Sequence, residues 1–159
     1  MGFKVVVEGG SLRFGAAHFI TMGGKCERLH GHNYGVSAVV EGPLGPDSYV
    51  VDFVLLKRTL RDICEVLDHH FLLPLKNKSL AVQECDDHWE IVYGDRRYVF
   101  PSRDVLPLPV DNVTAERLAE YILEQLGRAL AEAGEDGSLT LSVGVEEAPG
   151  QTAWYRREA

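Results

Sequence analysis

Two amphipathic helical stripes occupy the middle of this chain, with strand signals paired before the first and after the second. That order leaves few folds open. The first stripe is Phe53, Leu56, Leu60, Ile63, Cys64 and Leu67, whose spacing follows a helical period. Asp52 precedes it as a candidate N-cap. The second runs from about Thr114 to Ala133, with Leu118, Ile122, Leu126, Ala129 and Leu130 on one face and Gly134 suited to its stop. Before the helices, residues 3–8 and 12–18 read as extended, with Gly9-Gly10 as a bulge or turn between them. Residues 20–29 read as a loop, and 32–41 as a second strand ended by Gly42-Pro43 and Gly45-Pro46. After the helices, Leu139–Glu147 and Thr152–Arg157 flank Pro149-Gly150. Strands paired by hairpins, with helices grouped between them, predict an α+β domain. Its expected form is an antiparallel four-stranded sheet with two helices on one face, in the order ββααββ.

Residues 76–112 interrupt this plan. Trp89, Ile91 and Tyr93 alternate with polar residues, and Tyr98 and Phe100 do so again after Gly94-Asp95. The pattern predicts an inserted β-hairpin near 85–102, followed by an extended return through Pro101, Pro107 and Pro109. A length of 159 residues suits one domain, residues 1–159, burying roughly 70% of its unfolded surface. The net charge of −8 argues against a general nucleic-acid or anionic-membrane binder. It leaves room for a local basic pocket. The start carries no signal-like apolar run, and no apolar run approaches the ~20 residues that span a bilayer. Cys26, Cys64 and Cys85 are odd in number and irregularly spaced, as expected of reduced thiols in a cytoplasmic protein.

The chemistry concentrates in Cys26-Glu27-Arg28-Leu29-His30-Gly31-His32. In an extended chain His30 and His32 point to one face, and His18 can reach them from the preceding strand. Three neutral imidazoles suit zinc and leave a position for water or substrate, although iron, nickel and copper also accept them. Read singly, each histidine is as well explained by surface or packing roles. Asp68-His69 offers a carboxylate that can orient an imidazole, or simply a polar helix end. Cys64 lies on the helical stripe and reads as core. Cys85 and Asp86-Asp87-His88 form a further, nonspecific metal-like group in the insertion. Glu146 and Glu147 end a strand and must point opposite ways, so one of them can face a pocket.

Together these residues resemble the 6-pyruvoyl-tetrahydropterin synthase / 6-carboxy-tetrahydropterin synthase family. The resemblance rests on FGAAH (14–18), CERLHGHNY (26–34), VVDF (50–53), LDHHFL (67–72), VTAERLAEYI (113–122) and VGVEEAP (143–149), in the family's order. It implies the tunnelling fold, with subunits assembled as trimers or hexamers around a β-barrel and active sites between subunits. It implies a zinc-dependent lyase acting on 7,8-dihydroneopterin triphosphate. On the matching positions, His18, His30 and His32 correspond to the zinc ligands and Cys26 to a proton-transferring cysteine. Asp68 and His69 correspond to its partner pair, acting across a subunit boundary. Glu147 corresponds to the pterin anchor, and Thr114 to a residue that helps hold the ring. Glu116, beside Thr114, is either a further ring contact or a first-turn carboxylate stabilising the helix dipole. Lys25 and Arg28 flank the motif as candidate neighbours of the triphosphate.

The resemblance also divides. A cysteine separated from His-Gly-His by three residues is the pattern of the carboxy-tetrahydropterin synthases of the queuosine pathway. A glutamate separated from it by two residues marks a branch that resembles an aldolase, yielding 6-hydroxymethyl-7,8-dihydropterin for folate. Cys26 and Glu27 satisfy both. The first expectation is formation of 6-carboxy-5,6,7,8-tetrahydropterin, or 6-pyruvoyl-tetrahydropterin, with loss of triphosphate. Aldolase-like cleavage is its rival or second activity, and a pterin-binding protein without turnover is the non-enzymatic alternative. The 76–112 segment is longer than in compact relatives and is a candidate lid, sheet extension or oligomer contact.

Overall fold

The computed structural model of the chain describes residues 2–135 and 138–158. The first third gives β1 (Phe3–Val7), β2 (Arg13–His18), the short β3 (Thr21–Met22) and β4 (Lys25–Cys26), and the long β5 (His30–Gly42). Helix α1 (Phe53–Leu67) and β6 (His70–Pro74) follow. The insertion contributes β7 (Ala81–Glu84), β8 (His88–Tyr93), β9 (Arg96–Pro101), a 3-10 turn and β10 (Val105–Leu108). Helix α2 (Ala115–Glu132), β11 (Thr140–Ala148) and β12 (Gln151–Arg157) complete the chain.

The alternating apolar residues of the first 42 positions build one broken strand laid along a whole one. β1 and β2 both pair antiparallel with β5, β1 against its last five residues and β2 against its first six. Gly9 and Gly10 make the break with φ of 75° and 60°, a conformation that glycine adopts without steric cost. β11 lies on the other side of β5, with β12 outside it, both antiparallel. This is the expected four-stranded antiparallel core. The sheet then grows beyond it. β6 pairs parallel with β2, and β10 parallel with β6, giving the order β10-β6-β2-β5-β11-β12. The extra strands, HFLLP and VLPL, are mostly apolar and show no alternation, because parallel strands bury both faces.

Both helices pack on one face of the sheet. Leu56, Leu60, Cys64 and Leu67 of α1 and Leu118, Ile122, Leu126 and Leu130 of α2 are buried against Phe14, Tyr34, Val36, Val40, Val143 and Val145. Burial pushes the Cys64 thiol up to about 12, as suits a core cysteine. Asp52 caps α1, accepting from Val54 N at 2.8 Å, and Thr114 caps α2, accepting from Arg117 N at 3.3 Å. Gly134, at φ 86°, stops α2.

The insertion is a three-stranded antiparallel sheet, β7-β8-β9, one strand more than the expected hairpin. Its inner side builds a second apolar cluster of Phe19, Phe71, Leu73, Leu80, Trp89, Ile91 and Val105, flanked by Tyr98 and Phe100. The predicted 20–29 loop contains the β3-β4 ribbon, turned at Gly23 and Gly24 with φ of 54° and 73°. Among the described residues, no helix is long and apolar enough to cross a membrane.

Candidate metal centre and active site

The register of two strands assembles the centre. His18 sits opposite His30 in the β2–β5 ladder, and Ala16 opposite His32. The period of two therefore sends His18, His30, His32 and Tyr34 to the helix-covered face. One potential ligand atom from each of the three histidines lies within 4.8 Å of the others. The glycine between the two β5 histidines is a consequence of close approach: a Cβ on Gly31 would stand 2.8 Å from the Ala16 carbonyl oxygen.

The hydrogen bonds orient these rings. His18 Nδ1 donates to Val113 O at 2.8 Å, and His30 Nδ1 donates to Arg28 O at 2.7 Å. Both rings thereby direct Nε2 inward, where the two nitrogens stand 3.2 Å apart. His32 Nε2 is buried with no hydrogen-bond partner. Carbonyl-bonded imidazoles and an orphaned buried nitrogen are what a divalent metal requires of its surroundings. Burial holds the His18 pKa below its ordinary value and so favours the neutral, ligating form. His30 is 39% exposed on its side chain, which leaves the centre open to a small molecule. Three imidazoles with an open side suit a metal site that keeps a coordination position for a small molecule.

Three carboxylates surround the strand ends. Glu147 faces the centre, its Oε1 3.7 Å from His32 Nε2. Glu146 points to the opposite face, beside Gly35. Burial, then Glu147, raises the pKa of the Tyr34 hydroxyl under the site. Glu27 also turns toward the centre, with Oε2 3.9 Å from His30 Nε2 and accepting from Ile20 N at 3.2 Å. Cys26 does not. Its side chain packs on the second apolar cluster, and its Sγ contacts Glu27 O at 3.5 Å. Burial raises the pKa of this thiol, although the Arg96 guanidinium pulls it down in part.

Asp68 and His69 form a pair, with His69 Nδ1 2.7 Å from Asp68 Oδ2. Gly15 anchors them: its N–H donates to Asp68 Oδ1 at 2.7 Å, and its carbonyl accepts from His69 N at 2.7 Å. The Gly15 N–H bond, then the imidazole, holds the Asp68 carboxyl below its usual range. A Cβ on Gly15 would meet Asn33 Oδ1 at 3.2 Å and Asp68 Oδ1 at 3.8 Å. Gly15 and Asn33 alternate with the histidines, so the pair lies on the sheet face away from the chain's own three imidazoles. The His69 side chain is 89% exposed there, on a backbone with φ 57°. Thr114 follows Val113 directly, and Glu116 stands two residues further on. Thr114 spends its hydroxyl on the helix cap, and Glu116 is exposed in the first turn. Lys25, in β4, and Arg28, just beyond it, are exposed.

The insertion brings Cys85, His88 and Glu90 within 4.8 Å of one another. Glu90 is already bonded by Arg97 at 2.7 Å and His88 by Asp87 at 2.6 Å, so this group is satisfied without an ion. Asp86 is not part of it. Sequence reasoning missed Arg96, whose guanidinium donates to Cys26 O at 2.6 Å and Glu27 O at 3.2 Å. It also missed Asn112, which brackets Thr21 through its N–H at 3.3 Å and its carbonyl at 2.8 Å. Arg96 follows the turn signal Gly94-Asp95 and Asn112 ends the extended return, so each reads as an ordinary polar residue of a connection.

Known proteins resemble this chain in sequence and fold. A sequence model described as 6-pyruvoyl tetrahydropterin synthase matches residues 10–158. A Methanocaldococcus jannaschii protein provisionally named 6-carboxy-5,6,7,8-tetrahydropterin synthase is 32% identical over 147 residues, covering 92% of this chain and 90% of its own. The Aquifex aeolicus 6-carboxy-5,6,7,8-tetrahydropterin synthase is 31% identical over 136 residues, 84% of this chain and 77% of its own. The crystal structure of a Plasmodium vivax 6-pyruvoyltetrahydropterin synthase superposes with a TM-score of 0.94 at 37% identity, covering 100% of this chain and 99% of its own. A variant of the Plasmodium protein with a catalytic glutamate replaced by alanine superposes equally well, at 0.94. The match along almost the whole chain, over the same helices and curled sheet, makes this protein a member of the 6-pyruvoyl tetrahydropterin synthase family of enzymes, built on the tunnelling fold.

Proposed function

We propose that this pterin synthase homologue is a zinc-dependent lyase of 7,8-dihydroneopterin triphosphate that chiefly cleaves the side chain to 6-hydroxymethyl-7,8-dihydropterin. One observation carries the choice: the Glu27 carboxylate stands beside the imidazole centre while the Cys26 thiol is turned into an apolar cluster. The catalytic glutamate of the Plasmodium vivax relative supports it.

His18, His30 and His32 would hold the metal, which when bound supplies Lewis acidity to the hydroxyls of the substrate side chain. Glu147 accepts two hydrogen bonds from the amino-pyrimidinone edge of the pterin, with Thr114 and Glu116 bordering the ring. Glu27 takes the proton of the side chain's second hydroxyl. The bond between its first and second carbons then breaks. The second carbon leaves as an aldehyde bearing the triphosphate, and the first keeps the electron pair. His69, oriented by Asp68 and supplied by a neighbouring copy, returns a proton to that carbon. Lys25 and Arg28 offset the triphosphate charge. The working form is a cytoplasmic trimer or hexamer with sites between copies.

A second reading keeps Cys26 as the proton carrier and 6-carboxy-5,6,7,8-tetrahydropterin as product. The names of the archaeal and Aquifex relatives favour it. Incubating the zinc-loaded protein with dihydroneopterin triphosphate, with products identified by mass spectrometry, separates the two. A dominant hydroxymethyl product is expected. Bound substrate returned unchanged at every zinc loading would leave a pterin-binding protein and sink the enzyme reading.

A further inference from the structure

Cys26 and Glu27 are neighbours in extended chain, so they face opposite ways, and one of them can address the imidazole centre at a time. The ribbon that carries them, extended by Glu27 N–H to Ile20 O at 2.9 Å and Ile20 N–H to Glu27 Oε2 at 3.2 Å, is too small to fix the choice alone. β3 and β4 are two residues each, closed by Gly23-Gly24, and a two-stranded ribbon of this size is marginal in water. A slip by one residue would exchange the two side chains. Its first strand is tied from outside by Asn112 and by Asn77, whose Nδ2 donates to Thr21 Oγ1 at 2.8 Å. Its second strand is tied by the inserted sheet. Arg96, at the tip of the β8-β9 hairpin, donates to the two consecutive carbonyls of Cys26 and Glu27. The guanidinium also lies 5.5 Å from the centre of the Tyr93 ring, across the same turn. A planar fork grips two carbonyls in one orientation, which an ammonium cannot do.

We propose that Arg96 is a positioning residue: it holds the 26–27 segment so that Glu27, and not Cys26, is presented to the imidazole centre, and the insertion thereby sets the product. This rests on the functional reading above. It gives the 76–112 segment a role at the site without any contact to substrate.

Arg96→Met keeps the stem and removes the donors, and Arg96→Lys keeps the charge and one donor. Two readouts apply to the zinc-loaded proteins, with thermal melting and zinc stoichiometry confirming the fold. The first is the rate of iodoacetamide modification at Cys26, resolved from Cys64 and Cys85 by peptide mapping. The second is the ratio of carboxy-tetrahydropterin to hydroxymethyl-dihydropterin. Freed of two charge-assisted bonds, Arg96→Met should alkylate Cys26 about tenfold faster and raise the product ratio by a similar factor, with Arg96→Lys between it and wild type. Should Arg96→Met fail to fold, Arg96→Lys decides, with a rise of about threefold expected. Wild-type alkylation and a wild-type product ratio in the folded variants overturn the proposal. The functional reading fails separately, on absence of turnover by wild type, and the alkylation arm still decides whether Arg96 positions the segment.

Discussion

Replacing Glu27 by glutamine exchanges one oxygen for an amide nitrogen and tests the proton carrier with little else disturbed. The carboxylate makes two kinds of contact, an accepted hydrogen bond from Ile20 N at 3.2 Å and an approach of 3.9 Å to His30 Nε2. Both fall on Oε2, where glutamine can place its carbonyl oxygen and keep the accepted bond, but an amide oxygen lacks the basicity of the carboxylate. Stability should therefore stay within ~0.5 kcal/mol of wild type. A positioned general base contributes about 10²–10⁴ in rate, so kcat for hydroxymethyl-dihydropterin should fall by that factor while zinc content is unchanged. Alanine goes further and leaves the Ile20 N–H without an acceptor, at a cost of about 1 kcal/mol. That cost should lower Tm by about 2–4 °C. The assay is steady-state product formation, with zinc measured on the same samples. A glutamine variant with full zinc and a kcat within threefold of wild type would refute the assignment of Glu27, whatever the Tm values.

Two further outcomes follow from the geometry. Asp68 has a depressed folded-state pKa, so its contribution to stability is present above the ordinary carboxylate range and disappears as pH falls below about 4. Asp68→Asn should accordingly show a shallower fall of Tm between pH 6 and pH 3 than wild type, and an identical slope would refute the bonding inferred at Gly15 and His69. Gly31→Ala drives a Cβ toward the backbone oxygen of Ala16 at 2.8 Å, where no side chain can yield. It should destabilise the protein by about 1–3 kcal/mol and weaken zinc binding in titration by splaying β2 from β5. Wild-type zinc affinity in that variant would remove the argument that strand spacing builds the site.

What could be read from the chain follows the reach of each signal. Alternation exposed β1, β2, β5, β11 and β12, and the helical stripes, with the first cap at Asp52, match the observed helices to within a residue or two. β6 escaped notice because a strand buried on both faces carries no period, and β10 was expected only as an extended return through the prolines, without a sheet partner. β7, reading Ala-Val-Gln-Glu, is too short and mixed to separate from a loop. At the site, the spacing of His30 and His32 is local information, and so is the adjacency of Asp68 and His69. The opposing faces of Cys26 and Glu27 follow from extended geometry, but which one faces the imidazoles depends on Arg96, 70 positions away from Cys26. No local pattern encodes a contact at that separation.

The face occupied by Asp68-His69 leads to a sharper test of the proposed assembly. Phe14, Ala16 and His18 point one way from β2, and Gly15, which anchors the pair, belongs to the other. A rotation of the exposed His69 side chain does not carry it through the sheet, so on the proposed mechanism it serves the centre of a neighbouring copy. Two inactive variants should then repair each other. Glu27→Gln retains His69, and His69→Asn retains Glu27, asparagine being among the residues that accept the positive φ of this position. No chain in a mixture carries both groups. In co-refolded oligomers of equal composition, a site drawing one group from each of two copies is complete in about a quarter of cases. Activity should return to about a third of wild type in doubly tagged, purified trimers, each of which holds one complete site, and to about a quarter in purified hexamers. Hybrids no more active than the parents would place both groups in one chain's site and refute the division of labour between copies.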